Sequence, residues 1–188
     1  MRKLFLTALV SVAAATPAMA QDRAPFTGFR IEGLAGWDRV QSGDHDDAIG
    51  YGLGVGYDMQ AGGALVGIEG EISDSDNRDC IGAATVADPR LCLKTGRDLY
   101  AGARVGAVMG KALVYGKVGY TNARGKFTSN DGVAETTLAS SDLDGVRVGG
   151  GAEFALGPNS FIKTEYRYSN YEQGVERHQV MGGFGFRF

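Results

Sequence analysis

Residues 48–59 run Ala48-Ile49-Gly50-Tyr51-Gly52-Leu53-Gly54-Val55-Gly56-Tyr57-Asp58-Met59. Every odd position is large and apolar and every even one is small or polar, a two-residue beat that a helix of 3.6 residues per turn does not keep. After the turn Ala61-Gly62-Gly63 the parity swaps, with Val66, Ile68 and Ile72 on one face and Glu69, Glu71 and Ser73 on the other. Together the two segments predict a β-hairpin.

The same beat extends through the chain. A strand near 27–40 sets Phe29, Ile31, Ala35 and Trp37 against Arg30, Glu32 and Asp38, and one near 96–109 sets Leu99, Ala101, Ala103, Val105 and Ala107 against Asp98, Tyr100 and Arg104. Residues 112–124 oppose Val114, Val118 and Tyr120 to Tyr115, Lys117 and Thr121, and residues 143–156 oppose Val146, Val148, Ala152 and Phe154 to Arg147 and Glu153. Residues 159–171 pair Ile162, Tyr166 and Tyr168 with Lys163, Glu165 and Arg167, and residues 178–188 carry Val180, Phe184, Phe186 and Phe188 opposite Gln179, Gly183 and Arg187. Leu34, Leu113 and Met181 break the pattern by falling on the polar face. Connections alternate between tight (60–63, 110–111, 157–158) and longer (41–47, 75–95, 125–142, 172–177). Outer-membrane barrels have this asymmetry of short periplasmic turns and long outer loops. The fold class expected is therefore all-β, an eight-stranded antiparallel up-and-down transmembrane β-barrel.

A soluble barrel also alternates, so the polar face decides which side is lumen. It is crowded with glycine (Gly50, Gly52, Gly54, Gly56, Gly149, Gly151, Gly183, Gly185) between charges of both signs. An exposed surface has no need of such small residues, whereas eight strands enclose only enough space for their own side chains. The inward charges on this register are Arg30, Arg104, Lys117, Arg147, Lys163, Arg167 and Arg187 against Glu32, Asp38, Asp58, Glu69, Glu71, Asp98, Glu153 and Glu165. Near-balance predicts a salt-bridged plug, because a buried charge is tolerable only when paired. Outward aromatics cluster at both strand ends, Trp37, Tyr120, Tyr166 and Tyr168 toward the outer rim and Phe29, Tyr57, Phe154, Phe186 and Phe188 toward the periplasm, as two girdles would.

Residues 1–20 have the layout of a cleaved secretory signal: basic Arg2-Lys3, an apolar run from Leu4 to Ala15, and the small-x-small site Ala18-Met19-Ala20. The barrel domain is then 21–188, with 17 basic and 22 acidic residues and a net charge of −5. No basic stripe supports nucleic-acid binding. No apolar stretch after Ala20 suffices for a membrane helix, so membrane residence means a barrel. Export puts Cys80 and Cys92 in an oxidising compartment, where a disulfide is expected. It would stabilise by ~3 kcal/mol through closure of its short loop. Metal binding by the pair lacks a nearby histidine.

Catalysis would have to use one of two histidines, His45 or His178. His178 with Ser169 and Glu172 is the arrangement to test for a lipid-modifying hydrolase, against the plainer reading of a hydrated rim histidine. The acidic clusters Asp44-His45-Asp46-Asp47 and Asp74-Ser75-Asp76-Asn77-Arg78-Asp79 fail as a calcium hand: in the second, Asp79 stands where glycine is required and Thr85 where glutamate is. Neither a metal nor a cofactor is expected.

From Val146 to Phe188 the chain resembles the opacity-type, porin-family outer-membrane proteins of Gram-negative bacteria. Val148-Gly149-Gly150-Gly151-Ala152-Glu153-Phe154 and Lys163-Thr164-Glu165-Tyr166-Arg167-Tyr168 look like that family's penultimate strands, and Gly183-Phe184-Gly185-Phe186-Arg187-Phe188 like its closing signal. The chain departs at Phe161, where the family often has tryptophan, and in its cysteine-bearing second outer loop. The resemblance implies an outer-membrane location and recognition of Phe184, Phe186 and Phe188 by the barrel-assembly machinery. Expected partners are outer-membrane lipid, lipopolysaccharide and a surface or host ligand at the outer loops. The expected function is non-enzymatic, in envelope structure or surface adhesion, with a narrow passive porin as the rival reading.

Overall fold

The computed structural model describes residues 25–41, 45–75, 78–83, 85, 89–130, 132 and 135–188; the expected leader, 1–20, lies outside them. The strands are β1 (Gly28–Gln41), β2 (His45–Ala61), β3 (Ala64–Ser75), β4 (Arg78–Ile81), β5 (Arg90–Met109), β6 (Ala112–Asn130), β7 (Glu135–Ala155), β8 (Ser160–Tyr171) and β9 (Glu176–Arg187). Each long strand pairs antiparallel with its neighbour in sequence; β1 pairs with β9, and β3 pairs with β5. The sheet therefore closes as eight staves, with the short β4 as an extra strand beside β5. Closure satisfies every wall strand on both edges, which a sheet surrounded by lipid requires.

The alternation in residues 48–59 becomes two surfaces. Ile49, Tyr51, Leu53, Val55, Tyr57 and Met59 are exposed to the surroundings, while Gly54, Gly56 and Asp58 are buried. β8 follows the same rule along its whole length. Gly62 and Gly110 sit at φ of +61° and +64° in the tight connections, a left-handed conformation that glycine adopts without a Cβ clash. At the seam, the Phe188 N–H donates to the Phe29 carbonyl at 2.8 Å, and their rings lie 6.5 Å apart.

The outer connections differ from expectation, because much of 75–95 and 125–142 is strand. β5 and β6 pair on past Asp98 to Arg90 and Asn130, and β6 and β7 pair out to Glu135. β-Bulges between Thr95 and Asp98 and between Phe127 and Thr128 shift the register, and a bulge breaks the two-residue beat by which strands are read from sequence. Cys80 and Cys92 are direct cross-strand partners in the β4–β5 hairpin and are joined by a disulfide. The expected connection 172–177 is also shorter: a single 3-10 turn, Glu172–Gly174, precedes β9.

Candidate functional site: a charge-filled lumen

Alternation sends one side chain in two to the interior, and there the structure collects charge. Among the described residues sixteen charged side chains are buried, eight of each sign. The fifteen expected from parity are all among them, and Arg177 is the sixteenth. By sequence it falls in the expected connection 172–177, yet β9 begins at Glu176 and Arg177 shares the inward parity of Gln179. Extending the strand by two residues would have found it.

The charges form a continuous ladder along the barrel. Near the end with the tight turns, the one expected to face the periplasm, Asp58 binds Arg104 (Nε to Oδ1, 2.8 Å), Arg30 (3.2 Å) and Arg187 (3.2 Å), and Glu153 takes Arg187 at 2.7 Å. In the middle Arg30 pairs with Glu32 at 2.8 Å and also with Glu69, while Lys117 Nζ stands 2.8 Å from both Glu69 and Glu71 and 2.9 Å from Glu165. Lys163 bridges Glu32 (2.7 Å) and Glu165 (3.2 Å), and Arg167 joins Glu165 to Glu71. Toward the outer end Arg147 contacts Asp98, and Arg177 spans from Asp98 (2.7 Å) to Asp38 (2.8 Å). Each charge thus meets an opposite one, the condition under which burial is tolerable.

Glycine makes the space for this. A methyl group at Gly54 would stand 2.8 Å from Glu32 Oε1, and one at Gly56 would stand 2.9 Å from Arg30 Nη2. Either substitution would push on the ladder.

At the periplasmic mouth the chemistry changes. Phe26, fully buried, packs with Leu65, Leu113, Tyr115 and Ala155. The Phe26 N–H donates to Gln60 Oε1 at 3.2 Å, and the Gln60 N–H donates to Thr27 Oγ1 at 3.0 Å. The Arg187 guanidinium lies 4.9 Å from the Phe161 ring centre and 5.3 Å from that of Phe26, within cation–π range. Leu113, anomalous on the polar face, is thereby explained. Phe26 itself left no signal, since Pro25-Phe26-Thr27 precede the alternating pattern.

The hydrolase constellation is not assembled. Ser169 faces the lumen and accepts from Arg147 Nε at 2.8 Å, whereas His178 lies on the outward face, 2.7 Å from the Tyr166 hydroxyl and with its ring centre 5.1 Å from that of Tyr168. Glu172 sits on the 3-10 turn between these strands. The sheet itself separates the nucleophile from the base. His45 and the two acidic clusters fall largely on residues outside the described side chains.

A closed barrel with a charged interior and an apolar exterior belongs in a membrane, and residues 5–188 match the outer membrane protein beta-barrel domain family. The chain belongs to that family. It is a protein of the Gram-negative bacterial outer membrane, and Trp37, Tyr51, Tyr120 and Tyr166, all about half exposed or more, belong to its lipid-facing surface. No curated protein matches the sequence. Among solved structures the chain is similar to Ail, the attachment invasion locus protein of Yersinia pestis, solved with the heparin analogue sucrose octasulfate, at 21% identity and a TM-score of 0.62 over 86% of this chain and 99% of that one. It is also similar to neisserial surface protein A, at 16% identity and a TM-score of 0.58 over 86% of this chain and 98% of that one. At these identities the likeness is one of fold.

Proposed function

We propose that the chain is a non-enzymatic outer-membrane protein whose lumen is plugged by its own ion pairs and whose outer strand extensions serve envelope structure or surface adhesion. The observation that carries this reading is the balance, among the described residues, of eight buried cations against eight buried anions in an unbroken ladder, with an apolar mouth at its tight-turn end. Eight strands leave no room for an aqueous channel once those side chains are in place. The outer hairpins, one stapled by Cys80–Cys92, are the parts that stand clear of the lipid and are available to a surface or host ligand. Residues 1–20 act as the export signal, Phe184, Phe186 and Phe188 as the determinants read by the assembly machinery, and lipopolysaccharide and membrane lipid surround the barrel. Conductance across a planar bilayer tests the closed lumen. The refolded protein should give no steady openings above background; reproducible unitary currents would favour the narrow-porin reading instead.

A further inference from the structure

The lipid-facing side of the wall is not evenly covered. Most outward positions of β1, β2, β3 and β9 are large and apolar, but Gly33, Ala35 and Gly182 meet there: Ala35 is the cross-strand partner of Gly182, and Gly33 is the next position along the same face of β1. They floor an open groove of about 800 Å³, with Phe184 on one side and Leu53 and Ile72 on the other. Gly54 and Gly56 make room for the ladder, where an added methyl group would meet Glu32 or Arg30. At Gly33 it would meet nothing within 4 Å among the described residues.

Charge stands at the groove's outer end. Arg97, exposed, lines it there beside Asp74. The nearby carboxylates are already engaged: Asp142, which the charge of Arg97 reaches, takes two hydrogen bonds from Arg124 at 2.8 and 3.1 Å, and Asp74 Oδ1 accepts the Ser75 N–H at 2.8 Å. Backbone register places further cations beyond Arg97. Arg78, Lys94 and Lys126 are successive cross-strand partners across β4, β5 and β6, followed on β7 by Ser140, and Lys126 has the outward parity of Arg124 and Tyr120. Like charges directly opposite one another destabilise a sheet. The Cys80–Cys92 disulfide, in the neighbouring row on the same face, holds β4 in this register.

We propose that the groove and Arg97 bind one phosphate-bearing lipid, with an acyl chain lying over Gly33 and Gly182 and the phosphate at Arg97. The depth fits. Trp37 is the next outward residue of β1 beyond Ala35 and belongs to the aromatic band expected at the outer rim, so the groove lies at acyl-chain level and Arg97 near the headgroups. A guanidinium meets a phosphate with two parallel hydrogen bonds. A chain seated between Phe184 and Ile72 gains dispersion contacts on both flanks that a flat wall denies it. The cation row beyond Arg97 raises the local concentration of anionic headgroups. The site goes beyond the plugged-lumen reading: it lies on the outside of the wall and stands whether or not the barrel conducts.

Trp37, the sole tryptophan, is the reporter. The full chain is refolded into phosphatidylcholine vesicles doped with brominated phosphatidic acid or with the same mole fraction of brominated phosphatidylcholine, and the quenching of Trp37 is compared. Quenching by the brominated phosphatidylcholine verifies insertion in every variant. Phosphatidic acid should be preferred about tenfold, the equilibrium effect of one charge-assisted hydrogen bond. Arg97→Gln should abolish the preference, and Gly33→Leu, which fills the groove where the backbone accepts a side chain without a clash, should weaken it. Equal quenching by the two lipids in the parent overturns the proposal, as does a preference that survives both substitutions. Inorganic phosphate added to the vesicles should leave the preference in place; its loss would mark a site for free anions and overturn the lipid. Conductance reports separately on the plugged lumen, so the two readings can fail independently.

Discussion

The two ends of the lumen are closed by different physics. At the periplasmic mouth Phe26 sits among Leu65, Leu113 and Ala155 with Arg187 stacked over its ring, a seal made of contact area. Toward the outside, Arg177 and Arg147 converge on Asp98, a seal made of opposite charges and hydrogen bonds. An apolar seal loses stability roughly in proportion to the atoms removed. An ionic one fails disproportionately, because deleting one partner strands the others in a low-dielectric interior.

The largest expected effect is therefore at the outer end. Asp98→Ala leaves Arg147 and Arg177 facing each other without their shared carboxylate and should cost ~4 kcal/mol in urea unfolding from lipid vesicles. A loss no larger than that of an exposed pair would break the distinction. Phe26→Ala at the other mouth should cost ~3 kcal/mol by cavity formation. Because the ladder above it is untouched, that variant should remain non-conducting, and unitary currents from it would make Phe26, not the ion pairs, the seal.

The smallest effect sharpens the contrast with the same chemistry placed in solvent. Arg124 grips Asp142 with two hydrogen bonds of 2.8 and 3.1 Å, and this holds the Asp142 carboxyl below its usual range. A depressed folded pKa stabilises above the unfolded value and is lost as pH falls through the folded one. Both side chains are well exposed, so water screens the pair. Asp142→Asn should leave the unfolding midpoint at pH 7 unchanged within error, with no difference from the parent on acidification below about pH 4, where an unperturbed aspartate protonates.

The lumen-facing charges were legible because strand geometry ties parity to side: once Ile49, Leu53 and Val55 face lipid, Arg30, Glu69 and Arg147 must face in. Arg177 was missed where a strand ran two residues beyond its apolar pattern, and the outer extensions of β5 to β7 where bulges reset the beat. The candidate triad failed for the same geometric reason that the charges succeeded. Ser169 has the inward parity of Lys163, Glu165 and Arg167, and His178 the outward parity of Val180, so the same period of two that turns the charges inward sets the pair on opposite faces.

By itself, the sequence determined the number of membrane strands, the face each residue takes and the near-balance of interior charge, all of which follow from a local period of two. Which charge meets which was decided by the tertiary structure. Arg30 and Glu69, or Asp38 and Arg177, are brought together only by strand stagger and barrel closure, and contact across a lumen depends on those long-range quantities. The same closure brought Leu113 in beside Phe26 and buried Leu34 and Met181 in the interior.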